Sequence, residues 1–243
     1  MPIDKYLEKL EGVRNSTKVK TNPYEVNGDE IQKYIILEGK SHGSYSYPDL
    51  LVSIERSHIG VNWFNAHKAL HEESSTMLTL RQYVDFLYLL QSGKAFYGNG
   101  MRIDYGKLIE IAYNILGIDK LWRSEWLDAF FNFEKVDNSL HINYNHMFIH
   151  GQLQAQNSEK LEDYLDRDER PGINLDEWLT KATVQGLPPK GIDKGNLYYW
   201  TPTIYNNSVA MFYTGPRGPN LSCDAVPSDS ELLPGIRAAK IKP

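Results

Sequence analysis

Hydrophobic residues recur at helical spacing in several stretches of the chain. Trp63, Ala66, Ala69 and Leu70 fall three or four residues apart and predict a helix over Asn62–Glu73. The next is the most sharply bounded. Thr79-Leu-Arg-Gln82 has the form of a capping box, with Thr79 at the N-cap and Gln82 three positions on. Leu80, Tyr83, Val84, Leu87 and Leu90 then line one face, and Gly93 supplies the stop. Leu108, Ile111, Ala112 and Ile115 predict a further helix over Tyr105–Leu116, ending at Gly117. Trp126, Leu127, Phe130 and Phe131 give another apolar stripe. With Ser124 as N-cap, and Glu125 and Asp128 near a positive helix end, they predict a helix opening at Ser124.

Other stretches read as strands. Ile31–Leu37 and Leu50–Glu55 are β-branched and bounded by Gly, Ser, His and Pro. Leu140–Ile149 alternates, which places Ile142, Tyr144, His146 and Phe148 on one face. Gln152–Arg170 is polar, charged in its second part, and expected to be solvated. Asn174–Thr180 predicts a short helix around Trp178, and Met1–Gly28 a short helix followed by loop. Beyond Gln185 the helical period disappears and prolines punctuate short strands, expected at Leu197–Thr201, Val209–Tyr213 and Ile236–Ile241. This order of elements predicts one α+β domain whose last third is loop-rich β.

Composition narrows the function. Over 243 residues, Lys+Arg 26 against Asp+Glu 31 gives a net charge of −5, which argues against a general nucleic-acid binder. No apolar run approaches the roughly 18 residues of a membrane span, so no membrane insertion is expected. The charged start, Met1 to Leu10, lacks the apolar core of a signal peptide. The single cysteine, Cys223, excludes an internal disulfide and thiolate zinc clusters.

Candidate chemistry is sparse. His67, His71 and Glu73 lie at i, i+4 and i+6, so both imidazoles face one way on a helix and the carboxylate adds an oxygen. This matches the spacing of the iron-binding motif of non-haem iron sulfoxide synthases. In those enzymes the motif lies in a separate helical bundle, and no such bundle is read here. His42, His58, His141, His146 and His150 are scattered, with no third ligand at a recognisable spacing. Gly98-Asn-Gly100 reads as a turn, no Gly-x-Ser-x-Gly elbow is present, and Cys223 reads as a buried thiol. The expectation is no catalysis, no metal site and no cofactor.

The last third points to recognition. Between Gly195 and Pro234 only Arg217, Asp224, Asp229 and Glu231 are charged, four in 40 against 23% for the chain. Tyr198, Tyr199, Trp200, Tyr205, Asn206, Asn207, Tyr213 and Asn220 are spread there among Gly and Pro. Rigid aromatics with Ser, Gly and Asn make up contact surfaces, whose centres are depleted in charge.

Three pieces of the chain resemble the C-type lectin fold in its formylglycine-generating-enzyme-like form. They are Leu78-Thr-Leu-Arg-Gln-Tyr-Val-Asp-Phe-Leu, the helix start Trp122-Arg-Ser-Glu-Trp-Leu-Asp-Ala129, and a terminal run. That run comprises Tyr199-Trp-Thr-Pro, Ala210-Met-Phe and Gly235-Ile-Arg-Ala-Ala-Lys240. The oxidases of that fold use a cysteine pair, which this chain lacks. What remains is similar to the variable proteins of diversity-generating retroelements, found in phages, archaeal viruses and cellular genomes.

The resemblance implies a fixed scaffold that displays exchangeable side chains to an unknown protein or surface ligand. It implies anchors at Trp200, Pro202, Ala210, Phe212, Gly235 and Arg237. The ligand-binding positions between them are expected at Thr203, Ile204, Tyr205, Asn207, Met211, Tyr213, Asn220 and Asp224. Residues 1–56 are expected as an N-terminal extension packed on a lectin-like domain, 57–243, with short irregular strands, two or three helices and a variable region near 197–234. Association with a virion or cell surface fits that reading. The alternatives are a non-haem iron enzyme using His67, His71 and Glu73, or a structural or assembly protein of a virus.

Overall fold

A computed structural model describes residues 32–117 and 122–243. The helix and loop expected over Met1–Gly28 lie outside the described residues. Among the described residues four strands come first: β1 (Tyr34–Leu37), β2 (Lys40–His42), β3 (Tyr45–Tyr47) and β4 (Leu50–Ser53). Helix α1 (Trp63–Glu72) and strand β5 (Thr76–Met77) lead into α2 (Leu80–Ser92) and α3 (Tyr105–Leu116). Long strands β6 (Arg123–Glu134) and β7 (Ser139–Ile149) follow, then β8 (Gln152–Lys160), β9 (Glu169–Ile173) and α4 (Leu175–Lys181). The chain closes with β10 (Leu197–Trp200), β11 (Ser208–Gly215), β12 (Gly218–Ala225) and β13 (Ala238–Ile241). The protein is α+β.

The largest sheet has the order β8-β7-β6-β11-β12-β10-β9, antiparallel except for the parallel pair β10 and β12. A second sheet, β1-β4-β13-β5, joins strands on both sides of the boundary expected at 56 to the C-terminal strand. Helix α2 lies against β6, β1, α3 and α4, so most of its circumference is buried. Its capping box is present: Thr79 Oγ1 accepts from Gln82 N at 3.2 Å, and Gln82 Oε1 accepts from Thr79 N at 3.0 Å. Gly93 and Gly117 end α2 and α3 in the left-handed conformation. Buried Asp85 accepts from Arg81 at 2.9 Å, His42 at 2.7 Å, Tyr47 at 2.6 Å and Lys40 at 3.2 Å, which ties the β2–β3 hairpin to α2.

Several expectations are corrected. The helix predicted from Ser124 is β6, a central strand. Trp126, Met211 and Val209 on one face belong to a core cluster under α1, whereas Leu127, Ala129 and Phe131 on the other belong to the main core. Burial of both faces removes the alternation that would have marked a strand. The Gln152–Arg170 stretch is not simple solvated chain, since it forms the edge strand β8 and the first two residues of β9. Strands β2, β3, β5 and β12 lie where the sequence pattern predicts no strand. The strands are not uniformly short, β6 having 12 residues and β7 11. Four helices, rather than two or three, lie among the described residues.

The C-terminal run locks the sheets together. Gly235 N donates to Ser124 O at 2.9 Å, and Trp126 N donates to Gly235 O at 3.0 Å. A Cβ at Gly235 would stand 2.6 Å from Ile59 Cδ1, so no larger residue fits without displacing its neighbours. Arg237, buried between the sheets, donates to both carboxylate oxygens of Glu125, at 2.7 and 3.1 Å. It also donates to Ser53 O at 2.9 Å and to Ile54 O.

Candidate functional site

Strand alternation sorts the last third into two faces. Tyr198 and Trp200 on β10, Asn220 and Ser222 on β12, and Met211 and Tyr213 on β11 pair across the ladder and share the outer face. Tyr199, Ala210, Phe212, Leu221 and Cys223 face the main core. Burial pushes the Cys223 thiol well above its ordinary range, so it is an inert thiol.

On the outer face an open cavity of about 340 Å³ is walled by Trp122, Tyr198, Trp200 and Tyr213. Arg170 and Arg217 bring positive charge, and Asn220 lies at its floor. The Arg170 guanidinium stacks 4.4 Å from the Trp200 ring, and Asp168 stands 3.5 Å from it. Across Tyr213 lies a second cavity of about 250 Å³, whose lining includes Trp126, Met211 and the carboxylates Asp224, Asp229 and Glu231. Tyr213 is thus the wall between a cationic, aromatic hollow and an acidic one.

The positions singled out in the sequence divide into three groups. Met211, Tyr213 and Asp224 line the acidic cavity, and Tyr213 and Asn220 the aromatic one. Thr203, Ile204 and Tyr205 occupy the loop before β11, where the Tyr205 ring is 86% exposed. Asn207 lines a third cavity beside β7. Met211 and Asn220, expected to face solvent, are only 5% and 8% exposed, Met211 because it belongs to the core cluster under α1. The composition pointed to Tyr198 and Trp200 but not to the arginines. Arg170 stood in a stretch read as solvated, and only the sheet order brings it to β10.

The histidine motif on α1 does not assemble. His67 points inward, whereas His71 and Glu73 are exposed. His71 packs on Phe148, with ring centroids 5.3 Å apart, and Glu73 is hydrogen bonded to His58 at 2.9 Å. His67, His71 and Glu73 therefore do not converge as one ligand group.

Instead His67 meets two residues read separately. Between Met211 and Val209 the β6–β11 ladder shifts, and three residues, 127–129, stand opposite Ala210. In this bulge Leu127 O accepts from Trp63 Nε1 at 2.9 Å, and Asp128 N donates to Leu78 O at 2.8 Å. The β6–β7 ladder ends at Asn143, and Asn145 takes a φ of 55°. Released from the ladder, His146 N donates to Asp128 Oδ2 at 2.9 Å, and His146 Nδ1 lies 2.5 Å from Asp128 Oδ1. His67 Nε2 stands 3.7 Å from the same Oδ1 and has no hydrogen-bond partner among the described residues.

The Trp63 ring walls this trio, 4.3 Å from His67 and 4.9 Å from His146. Burial pushes the His67 imidazole down to about 4, against the upward pull of Asp128, so the ring is neutral at pH 7. Burial raises the Asp128 carboxyl, but the His146 hydrogen bond and the two imidazoles hold it below the usual carboxylate range. A carboxylate one strand step from Trp126 and Phe130 was the available sequence signal. It was lost when the stretch was read as helix.

No family model, curated protein or solved structure matches the chain. No described helix is long and apolar enough to cross a membrane.

Proposed function

We propose that this chain is a ligand-recognition protein without catalysis of its own, displaying its contact surface on a lectin-like scaffold of the kind diversity-generating retroelements modify. The observation that carries the reading is the cavity between Trp122, Tyr198, Trp200 and Tyr213, rimmed by Arg170 and Arg217. Aromatic walls supply contact area at low entropy cost, and such rings with arginine are the usual anchors of interfaces. The acidic cavity across Tyr213 gives the surface two poles. A partner presenting an acidic, apolar segment to the first and a basic group to the second would bind in one register only.

Support for the scaffold comes from the capped helix α2 and from the closing Gly235-Ile-Arg237 run, whose residues are buried. The Trp122–Ala129 piece of the resemblance forms strand rather than helix, so it adds no support. The contact surface on this reading comprises Ile204, Tyr205, Asn207, Tyr213 and Asp224, together with the cavity-lining aromatics. Met211 and Asn220 support it from beneath.

The test is selection of peptides from a displayed random library on the purified chain. Recovered peptides should lose about 30-fold or more in affinity on Tyr213→Ala or Trp200→Ala, the effect of removing a contact aromatic worth about 2 kcal/mol. Equal binding to both variants would sink the recognition reading. The retroelement assignment has a separate test in the surrounding DNA. A reverse-transcriptase gene and a near-copy of codons 203–224 differing at adenines are expected, and absence of both refutes that assignment alone.

A further inference from the structure

We propose that His67, Asp128 and His146, none of them part of the recognition surface, form a binding site for one divalent transition-metal ion of the zinc class. The donors come from three packed elements: α1, the bulge in β6, and β7 where it leaves the ladder. His67 Nε2, a carboxylate oxygen of Asp128 and a ring nitrogen of His146 all lie within 4.8 Å of one another. Two imidazoles and a carboxylate are the donor set that zinc and its first-row neighbours take. Calcium and magnesium call for more oxygens than this site supplies.

Three features make the trio more than a hydrogen-bonded core cluster. First, His67 Nε2 is buried and unpartnered among the described residues, although Asp128 Oδ1 lies nearby at 3.7 Å. A buried ring nitrogen left without a partner is a feature that asks for an explanation, and an ion is one of the standard ones. Second, the distances bracket what a metal requires. Donors at about 2.0–2.1 Å around a tetrahedral ion stand roughly 3.3 Å apart. The two separations from Asp128 Oδ1 are 2.5 Å to His146 Nδ1 and 3.7 Å to His67 Nε2. Small ring rotations of opposite sense bring both to that value, and the ion takes the place of the proton between Nδ1 and Oδ1. That proton shifts to Nε2, so His146 binds as a neutral imidazole.

Third, the site has orientation and access. Asp128 Oδ2 is tied to the backbone N–H of His146 at 2.9 Å, which fixes the carboxylate and leaves Oδ1 for the ion. His146 lines an open cavity of about 370 Å³ whose walls include Phe64, Asn143 and Asn207. Three protein donors leave a fourth tetrahedral position for water. A β-bulge and a left-handed residue at the donors are features that commonly re-aim side chains at functional sites.

The experiment uses the full chain stripped with chelator and titrated with Zn²⁺, or with Co²⁺ as a spectroscopic probe. One ion should bind per chain, the cobalt complex should show visible ligand-field absorption, and Zn²⁺ should raise the Tm while Ca²⁺ and Mg²⁺ leave it unchanged. His67→Gln and His146→Gln should each weaken Zn²⁺ binding by about 100-fold or more, beyond the 10- to 100-fold typical of a lost outer-shell partner. His71→Gln, exposed on the same helix, should bind as the parent does. X-ray absorption of the zinc-loaded parent chain gives a readout independent of variant folding, and it should show imidazole scattering. Absence of saturable Zn²⁺ binding, unchanged affinity in both variants, or a zinc spectrum without imidazole would overturn the assignment.

Discussion

Arg237→Met removes the centre of the ion pair that joins the two sheets. In the folded chain Glu125 is 3% exposed and receives two hydrogen bonds from Arg237, at 2.7 and 3.1 Å. Its other cationic neighbour, Arg56 Nε, is 4.0 Å away and already donates through Nη1 to Ser124 O at 2.6 Å. Methionine fills much of the volume, so the main effect is electrostatic: a buried carboxylate without its partner. Breaking such a pair costs about 3–5 kcal/mol. The carbonyls of Ser53 and Ile54 lose a donor as well, which places the loss toward the upper end of that range. A domain of this size loses about 2–4 °C of Tm per kcal/mol, so a fall of roughly 8–20 °C is expected. Urea unfolding followed by tryptophan fluorescence gives the free energy directly. The double variant Glu125→Gln/Arg237→Met should recover part of the loss, because it removes the stranded charge. A single-variant loss under about 1 kcal/mol, or a double variant less stable than the single, would refute the electrostatic account.

Two further outcomes follow from burial and charge. Trp126→Ala should cost about 3–5 kcal/mol in urea unfolding, since the ring is 2% exposed and its Nε1 donates to Val61 O at 2.9 Å; a loss below about 1 kcal/mol would show that the cluster under α1 collapses around the gap. Burial raises the Asp85 carboxyl, but Arg81, Tyr47 and Lys40 together hold it below its ordinary value. Its stabilisation is therefore complete above the unfolded value of about 4 and is lost as pH falls through the lower folded value. Thermal melts of parent and Asp85→Asn should differ most at neutral pH and converge in acid, and a gap independent of pH would contradict this sign.

How much of this was legible depended on how far apart in the chain the deciding residues lie. The capping box at Thr79 and Gln82 and the left-handed stops at Gly93 and Gly117 are written within a few residues, and all three are present. Strand β6 was misread because Trp126, Leu127, Phe130 and Phe131 satisfy a helical period. Only a sheet with a core on each side makes such a run a strand. Strand β8 was missed for the opposite reason: an edge strand exposed along most of its length carries no apolar pattern to read.

The candidate sites follow the same rule. Composition marked the last third as a low-charge, tyrosine-rich surface, because side-chain chemistry is countable without knowing the fold. The sequence also determined the helices with strong local caps and the lone buried thiol. Tertiary structure alone decided the rest. It placed Arg170 beside Trp200, buried Met211 and Asn220, and separated His67 from His71 and Glu73. It brought His67 instead to Asp128 and His146, residues tens of positions away, through a bulge in one strand and the release of another. Caps and stripes are set by neighbours in the chain, whereas a site built across elements is set by which ladders form and where they break.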